Sequence, residues 1–451
     1  VVGERGSVDA ARLITRIDAA QGRTDAPGNP DDPDALDDLD DVEAPDALDE
    51  LAGCAARDAV LRLDPSAGVM VQAVWLDAGP RRVGRLVLVV HHLAVDGVSW
   101  RILAPDLRAA CEAAARGHKP VLDPVGTSFR HWSRLLVEEA TGGNRVAELE
   151  GWTAILGDGA EPPLGERALD PVRDTAAGMR HRTWTVPAKQ AATLAGPTPA
   201  LFHCGVHEVL LATLAGAVVR ARRGADGTVL IDVEGHGRKP VGEADLLRTV
   251  GWFTSVHPIR LDLSGIDVTG AAAGGPAVGT LLKAVKEQAR AVPGDGLGYG
   301  LLRHLNPETG PALAALPSPQ IGFNYMGRFP AAAAADAVGP WQMAGEEAIG
   351  SSTADAMPAT HTLEAGATVR DADGGPELTL SLSWHGAVLD EAVAERVGHH
   401  WLDLLAGLAA HTTDPAAGGH TPSDFPLVEL AQDEVEQFEA MAAELEGGRS
   451  L

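Results

Sequence analysis

The adjacent histidines His91 and His92 follow the apolar run RLVLVV and precede the dipeptide Asp96-Gly97. Imidazole exchanges protons near neutral pH, so a histidine in this position could act as a general base or a general acid. Successive residues of a strand point to opposite faces, so only one of the two rings can enter a given site. The same divergence, together with the lack of a third ligand at a suitable spacing, argues against a zinc site, and we expect no metal.

The residues after this pair must position it. Asp96 and Gly97 predict a tight turn. The apolar residues from 100 to 111 recur at spacings of three and four, which predicts a helix after the turn. A strand, a turn and a helix in this order place a histidine at a strand end that faces a crevice, where reactive groups of layered α/β folds lie. A second interpretation stays open on the residues alone, namely a strand that ends in two polar residues before an ordinary turn.

Charge and composition limit the class of protein. The 451 residues carry a net charge of −27, and such a field repels phosphate backbones and anionic membranes, so we expect neither nucleic acid nor a membrane as a partner. Cys54, Cys111 and Cys204 are scattered without CxxC spacing, which is typical of a reducing compartment. No apolar run approaches the roughly 20 residues of a membrane span, and the start has no signal-peptide form, so we expect a cytoplasmic protein.

The chain is long enough for two lobes, each with its own core. Residues 26–50 combine Pro, Gly and repeated Asp and predict a solvated acidic loop. Residues 157–182 lack periodicity and predict the boundary between the lobes. Predicted strands lie at 69–76, 85–90, 228–237, 319–327 and 378–384, and predicted helices lie at 206–222, 277–292, 390–411 and 433–446. This mixture predicts sheets with helices packed on them, that is, an α/β fold.

The stretch HHLAVDG, residues 91–97, resembles the HHxxxDG signature of the condensation superfamily of nonribosomal peptide synthetases. Five further stretches follow in the order expected of the epimerization branch of that superfamily: DGVSWRIL, VEGHGR, RTVGWFT, VPGDGLGYG and FNYMGR. The resemblance covers about residues 60 to 427. A motif of the PIQxWF type is absent from the start, so we expect the chain to begin inside the first lobe. The stretch GDGLGYG lacks the GK[ST] of a phosphate-binding loop, and we expect a flexible loop near the active-site channel.

The resemblance implies a fold like that of chloramphenicol acetyltransferase. Two α/β sandwich lobes would form a V-shaped pseudo-dimer, with the active site in a channel between them. The N-terminal lobe, with HHxxxDG, is expected at residues 1–165, and the C-terminal lobe, with EGHGR, RTVGWFT and FNYMGR, at 172–427. A linker and a helix are expected at 428–451.

The resemblance also assigns roles around the first motif. His92 is implied to be catalytic and His91 to be structural. Asp96 is implied to support the active-site turn at Gly97 through an ion pair, for which Arg248 at the start of RTVGWFT is the matching arginine. On the residues alone, an ordinary turn aspartate stays open as the alternative for Asp96.

Further roles follow from the motifs of the second half. Glu234, the first residue of EGHGR, is implied to be the second catalytic group, and Asn324 and Tyr325 of FNYMGR are implied to donate hydrogen bonds to a developing negative charge. Without the resemblance, Glu234 is an exposed carboxylate at a strand end and Tyr325 a buried tyrosine with a satisfied hydroxyl. We expect His236 to be a loop histidine with a hydrogen-bonding role.

The activity implied by the resemblance is epimerization, the L to D interconversion at the Cα of an aminoacyl or peptidyl thioester, in nonribosomal peptide biosynthesis. The substrate would arrive on the phosphopantetheine arm of an upstream peptidyl carrier domain, among other synthetase domains, and the chain itself is expected to bind no cofactor. Two alternatives stay open. One is a condensation domain that forms an amide bond between carrier-bound substrates, and the other is a non-catalytic domain that docks carrier domains.

Overall fold

A computed structural model describes residues 10–20, 45–157, 161–222, 227–329, 341, 354–372, 374–428 and 430–447. By their packing, the described residues form two compact units. The first unit contains the residues up to Val125 and the short segment Arg248–Trp252. The second unit contains Gly126–Leu247 and most of the chain from Phe253 onwards.

The first unit holds a three-stranded sheet in the order β1-β2-β3. Strand β1 (Ile14–Asp18) runs parallel to β2 (Val71–Asp77), and β2 pairs antiparallel with β3 (Arg85–Val90). After β3 the chain makes one short 3-10 turn and then enters the long helix α2 (Gly97–Ala115). The strand predicted at 85–90 and the helix predicted after the Asp-Gly turn are therefore confirmed.

Helix α1 (Pro45–Leu61) packs on this sheet. Its apolar residues between Leu48 and Ala59 recur at spacings of three and four and cluster with Val74 and Leu76 of β2. The acidic loop expected at 26–50 is therefore wrong for residues 45–50, because these residues are helical and Leu48 packs against the sheet. Residues 26–44 lie outside the described part of the chain.

The second unit holds a six-stranded mixed sheet in the order β4-β9-β8-β7-β5-β6. Its strands are β4 (Met179–Val186), β5 (Thr228–Gly235), β6 (Ser255–Asp262), β7 (Ile321–Phe329), β8 (Leu363–Ala372) and β9 (Gly375–His385). The pairs β5–β7 and β7–β8 are parallel, and the other neighbours are antiparallel. Two sheets combined with helices confirm the α/β class.

The second unit also contains a set of helices, several of which pack on this sheet. They are α3 (Phe129–Glu139), α4 (Gly143–Val146), α5 (Leu149–Leu156), α6 (Ala188–Ala195), α7 (Pro197–Leu201), α8 (Val206–Ala221), α9 (Val268–Ala272), α10 (Ala277–Arg290), α11 (Leu297–His304), α12 (Gly310–Ala314), α13 (Glu391–His411) and α14 (Gln432–Gly447). The helices predicted at 206–222, 277–292, 390–411 and 433–446 correspond to α8, α10, α13 and α14.

The core of the second unit forms around α8, whose residues from Val209 to Val218 are all buried. A helix that is apolar on all sides is typical of a core position. The one polar side chain in this run, Thr213, accepts a hydrogen bond from the indole Nε1 of Trp401 at 3.1 Å. Among the described residues, no single helix is long and apolar enough to cross a membrane, although the bent pair Ala188–Leu201 and Val206–Ala221 meets those criteria together.

The boundary between the two units does not lie at residues 157–182, where the sequence predicted it. Helices α3 to α5 precede that stretch, yet they belong to the second unit, where Trp152 of α5 clusters with Leu230 of β5. Residues 161–174 carry neither helix nor strand, but β4 already begins at Met179. The lobe limits 1–165 and 172–427 stay a prediction from the resemblance, whereas packing assigns residues 126–157 to the second unit.

The GDGLGYG stretch is not a flexible loop. Its second half forms the first turn of α11, which begins at Leu297. The carboxylate of Asp295 accepts from the backbone N of Leu297 at 3.0 Å and from the guanidinium of Arg145 at 2.9 and 3.2 Å. This side chain therefore fixes the start of the helix and joins it to α4.

Candidate functional site

The two histidines occupy different positions in one turn. Strand β3 ends at Val90, and His91 keeps an extended backbone with φ −62° and ψ 134°. The ring Nδ1 of His91 accepts a hydrogen bond from the backbone N of Leu93 at 3.2 Å. His92 begins the 3-10 turn His92–Ala94 and is exposed. The pair therefore lies just beyond the strand, with the His91 ring bonded within the turn and the His92 side chain exposed.

Asp96 fixes the start of α2. It is 4% exposed, and its Oδ1 accepts from the backbone N and from the hydroxyl of Ser99, both at 2.7 Å. Gly97 is the first residue of the helix. An aspartate at this position satisfies free backbone N–H groups and places its negative charge at the positive end of the helix dipole. The tight turn expected at Asp96 and Gly97 is instead the start of α2, because Asp96 has an extended backbone and is the N-cap of the helix.

The expected ion pair between Asp96 and Arg248 is wrong. Nη2 of Arg248 donates to both carboxylate oxygens of Asp106, at 2.8 and 2.7 Å, and Nη1 lies 3.9 Å from Asp123. Asp106 lies ten residues along α2 from Asp96, which is a rise of about 15 Å in a helix. The arginine therefore pairs with an aspartate within α2 rather than with its N-cap.

Trp252 lies beside His92 in the first unit, and the sequence analysis did not identify it as a site residue. Its ring lies edge-on to the imidazole of His92, with centroids 5.0 Å apart and an interplanar angle of 68°. The backbone N of the preceding Gly251 donates to the Ser99 hydroxyl at 3.1 Å. An aromatic residue four positions after Arg248 in RTVGWFT is the signal that could have found it.

In the second unit, Glu234 lies at the end of β5 and is half-buried. The parallel register pairs Asp232 with Gly322 and Val233 with Phe323, so the next step brings Glu234 beside Asn324 of β7. Nδ2 of Asn324 donates to Oε2 of Glu234 at 2.7 Å. Sheet geometry therefore holds this carboxylate in place through a short hydrogen bond to an amide.

The residues that follow Glu234 form a tight loop. Nδ1 of His236 accepts from the backbone N of Arg238 at 3.0 Å, which confirms its hydrogen-bonding role. Gly237 has φ 61°, and a Cβ at this position would lie 1.5 Å from the carbonyl oxygen of Phe253. Only glycine fits there, because both the backbone conformation and the space exclude a side chain.

Asn324 and Tyr325 project from opposite faces of β7, because strand side chains alternate. Asn324 lies on the face of Glu234, whereas Tyr325 packs against the main core cluster on the face of Phe323. Burial raises the pKa of the Tyr325 phenol, so this hydroxyl stays protonated at neutral pH. The structure thus brings Asn324, but not Tyr325, into contact with the Glu234 carboxylate.

A second polar cluster lies on the same face of β5. Nε2 of His361 lies 3.0 Å from Oδ2 of Asp232, and Nδ1 lies 3.8 Å from Oε1 of Glu364. Gly322 leaves room for this ring, since a Cβ there would lie 2.7 Å from Nδ1 of His361. One signal could have found this cluster, namely the single aspartate in the otherwise apolar run VLIDV.

The predicted site residues therefore divide between the two units. His91, His92, Asp96, Gly97 and Arg248 belong to the first unit. Glu234, Asn324 and Tyr325 belong to the second. Each group supplies one candidate for proton transfer, an imidazole in the first and a carboxylate in the second.

Solved structures with a similar fold include two synthetase domains. The epimerization domain from the third module of tyrocidine synthetase B matches with a TM-score of 0.68 and 23% identity, covering 88% of this chain and 79% of that one. The first condensation domain of the CDA synthetase matches with a TM-score of 0.54 and 18% identity, covering 90% of this chain and 76% of that one. At these identities the likeness concerns the fold.

Similar sequences are found within much longer synthetases. A component of linear gramicidin synthase from Brevibacillus parabrevis is 36% identical over 379 residues, which is 83% of this chain and 5% of the relative. Chondramide synthase cmdD of Chondromyces crocatus is 34% identical over 396 residues, which is 85% of this chain and 9% of the relative. The family model of the condensation domain matches residues 38–430. This chain therefore belongs to the condensation domain family.

Proposed function

We propose that this chain epimerizes the Cα of an aminoacyl or peptidyl thioester carried on a phosphopantetheine arm during nonribosomal peptide synthesis. Membership of the condensation domain family supports a role in such a synthetase. The stretches EGHGR and RTVGWFT support the epimerization branch rather than the condensation branch. The higher TM-score against an epimerization domain, 0.68 compared with 0.54, is in agreement at the level of the fold.

The observation that carries the proposal is the hydrogen bond between Asn324 and Glu234. It holds a half-buried carboxylate at the end of β5, at the head of EGHGR, in one orientation. A carboxylate that exchanges a proton with carbon needs such a fixed position, because efficiency depends on the geometry of approach.

The chemistry requires two proton-transfer groups and a stabilised oxygen. One group removes the Cα proton, and the other returns a proton to the opposite face, so His92 and Glu234 would exchange roles between the L and D substrates. Loss of the proton gives an enolate-like thioester whose oxygen carries negative charge. Donors preset around such an oxygen stabilise it by roughly 3 kcal/mol each. Asn324 has a second amide N–H for this purpose, and Tyr325 and backbone N–H groups are further candidate donors.

The partners of the chain are part of the proposal. We expect an upstream peptidyl carrier domain to deliver the substrate, and other synthetase domains to supply and accept it. The proton transfers described above use side chains alone, so the chain itself would need neither a metal nor an organic cofactor.

The experiment is a conversion assay with a carrier-bound substrate. A peptidyl carrier domain is loaded with an L-aminoacyl phosphopantetheine, the chain is added, and the released amino acid is separated by chirality. We expect a mixture of L and D forms with the parent chain and only the L form with His92→Gln. His399→Gln is the matched control, since this exposed histidine of α13 packs against Trp184. Retention of the L form by the parent chain would refute the proposal.

Condensation is the second candidate function, because the matching family model is that of the condensation domain and because a condensation domain shares the fold. The same assay decides between the two when a second carrier, loaded with an acceptor amino acid, is included. A new amide bond on the second carrier with unchanged chirality would favour condensation.

A further inference from the structure

We propose that Trp252 positions the imidazole of His92 for proton transfer, and that Asp96 supports this arrangement through Ser99 and the segment Arg248–Trp252. The inference deepens the proposed function and rests on it, since His92 matters only if it moves a proton. Trp252 is a positioning residue in this account, because it acts through the histidine.

The ring of His92 is in direct contact with the indole of Trp252. The ring centroids of His92 and Trp252 are 5.0 Å apart at 68°, an edge-to-face geometry that aromatic rings favour. Within the described part of the chain, the His92 ring forms no hydrogen bond, and its aromatic contact is with this indole. An exposed histidine on a short 3-10 turn samples several rotamers unless a neighbour selects one. Trp252 is that neighbour.

The segment Arg248–Trp252 is attached to α2 at two points, Arg248 and Gly251. At one end, Arg248 binds both carboxylate oxygens of Asp106. At the other end, the Ser99 hydroxyl lies 3.0 Å from the Gly251 carbonyl oxygen and accepts from the Gly251 N at 3.1 Å. A segment held at both ends presents the next side chain, Trp252, in a defined direction.

Asp96 connects this attachment to the turn that carries His92. The Oδ1 of Asp96 binds the Ser99 hydroxyl at 2.7 Å and so fixes the group that holds Gly251. Asp96 is buried, and Ser99 is fully buried, so water does not compete for these bonds. A closed path therefore runs from the histidine turn through Asp96, Ser99 and Gly251 to the indole that faces His92.

The chemical consequence concerns the rate of the proton transfer rather than substrate binding. A general base must approach its proton along a hydrogen-bond direction, and a misplaced ring loses rate. An edge-to-face aromatic pair is worth enough to change the population of the correct rotamer by roughly 2- to 10-fold. Loss of the indole should therefore lower kcat by about that factor and leave KM nearly unchanged.

The test measures the ring and the reaction separately. The histidines of the full chain are labelled with 13C at Cε1, and the signal of His92 is assigned by its absence in His92→Gln. Trp252→Leu should shift this signal and lower kcat with the carrier-bound substrate, whereas Trp252→Phe, which keeps an aromatic ring, should lie between Trp252→Leu and the parent. Trp75→Leu is the matched control, because Trp75 is 37% exposed, compared with 45% for Trp252, and pairs with Leu86, towards the other end of β3. Ser99→Ala should shift the His92 signal as well.

The outcomes separate this inference from the proposed function. An unchanged His92 signal in Trp252→Leu overturns the positioning role, and an unchanged signal in Ser99→Ala overturns the path from Asp96. A raised KM with an unchanged kcat in Trp252→Leu also overturns it, since the indole would then bind substrate. If the parent chain inverts no substrate, the proposed function fails by itself, and the labelled signal still decides whether Trp252 orients His92.

Discussion

At the scale of single residues, His361 is a largely buried imidazole held between Asp232 and Glu364 on the face of β5 that carries Glu234. Burial alone would lower the pKa of His361, but the hydrogen bonds and charges of the two carboxylates outweigh it and raise the pKa to about 9. The ring is therefore protonated at neutral pH and places a positive charge between the two carboxylates on the polar face of β5.

This cluster predicts a pH-dependent contribution to stability. A folded-state pKa of about 9, above the ordinary value of 6.5, stabilises the fold fully below pH 6.5, and this stabilisation is lost as the pH rises to about 9. In urea unfolding, the difference in unfolding free energy between the parent and His361→Gln should shrink by at most about 3 kcal/mol from pH 6 to pH 9. A difference that does not change with pH would show that the ring is not held as a cation.

Arg248 provides a second test at this scale. The guanidinium binds Asp106, so a double-mutant cycle for Arg248→Ala and Asp106→Ala should give a measurable coupling in thermal unfolding. The matching cycle for Arg248→Ala and Asp96→Ala should be close to additive. Coupling to Asp96 that exceeds coupling to Asp106 would restore the ion pair expected from the motif.

The motif residues also show why a sequence pattern can identify a site residue but not the residues that it contacts. The HHxxxDG pattern located His92 and Asp96, because their positions depend on a local turn. The partner of Arg248 depends on which aspartate of α2 it meets after folding, and a motif does not encode this. Trp252 was missed for the same reason, since its contact with His92 joins residues far apart in the chain.

At the scale of secondary structure, a fully buried lysine attaches the last part of the chain to the second unit. The Nζ of Lys286 on α10 donates to Oδ2 of Asp424 at 2.5 Å and to the carbonyl oxygen of Phe202 at 2.9 Å. Burial alone would raise the pKa of Asp424, but the bonds from Lys286, Thr421 and Arg290 lower it to about 2, so this carboxylate is ionised at neutral pH.

Replacement of Asp424 should therefore destabilise the fold more than replacement of Lys286 by an uncharged residue. Asp424→Asn leaves a buried ammonium without its counter-charge and should lower the free energy of unfolding by about 3 kcal/mol in urea. Lys286→Met, which fills the same space without a charge, should be less harmful. An equal or larger loss in Lys286→Met would indicate that the lysine stabilises the fold by something other than this pair.

Elements with a clear hydrophobic pattern were predicted from the sequence, and elements of mixed composition were not. The all-apolar run of α8 and the alternation of β9 were clear signals. Strand β6 contains Pro258, which a sheet accepts because β6 is an edge strand, and β8 contains Gly366 and Glu364. Strands β6 and β8 form because they pair with neighbouring strands, and this pairing cannot be predicted from the local sequence pattern.

At the scale of the whole molecule, two compact units carry the two proposed proton-transfer groups. The motifs predicted the α/β class and the end of β5 as the place of Glu234, because these depend on local order along the chain. The assignment of residues 126–157 to the second unit could not be predicted, because it depends on the packing of Trp152 with residues such as Leu230.

The family context predicts a requirement for a tethered substrate. A thioester makes the Cα proton more acidic than a free carboxylate does, and a carrier arm raises the effective concentration of the substrate. We expect inversion of the carrier-bound aminoacyl group and none of the free amino acid, measured by chiral separation. Racemization of the free amino acid at a comparable rate would contradict this expectation.

The most direct test of the central claim, that His92 and Glu234 act as two separate proton-transfer groups, is the reaction in D2O. Deuterium at Cα and the configuration of Cα are measured in the same product for the parent, His92→Ala and Glu234→Gln. The parent should give inverted product with deuterium at Cα. Each variant should lose inversion, and one of them should still exchange the Cα proton of one enantiomer with retention, which identifies the surviving group as its base. Inversion by Glu234→Gln at the parent rate would contradict the two-group mechanism.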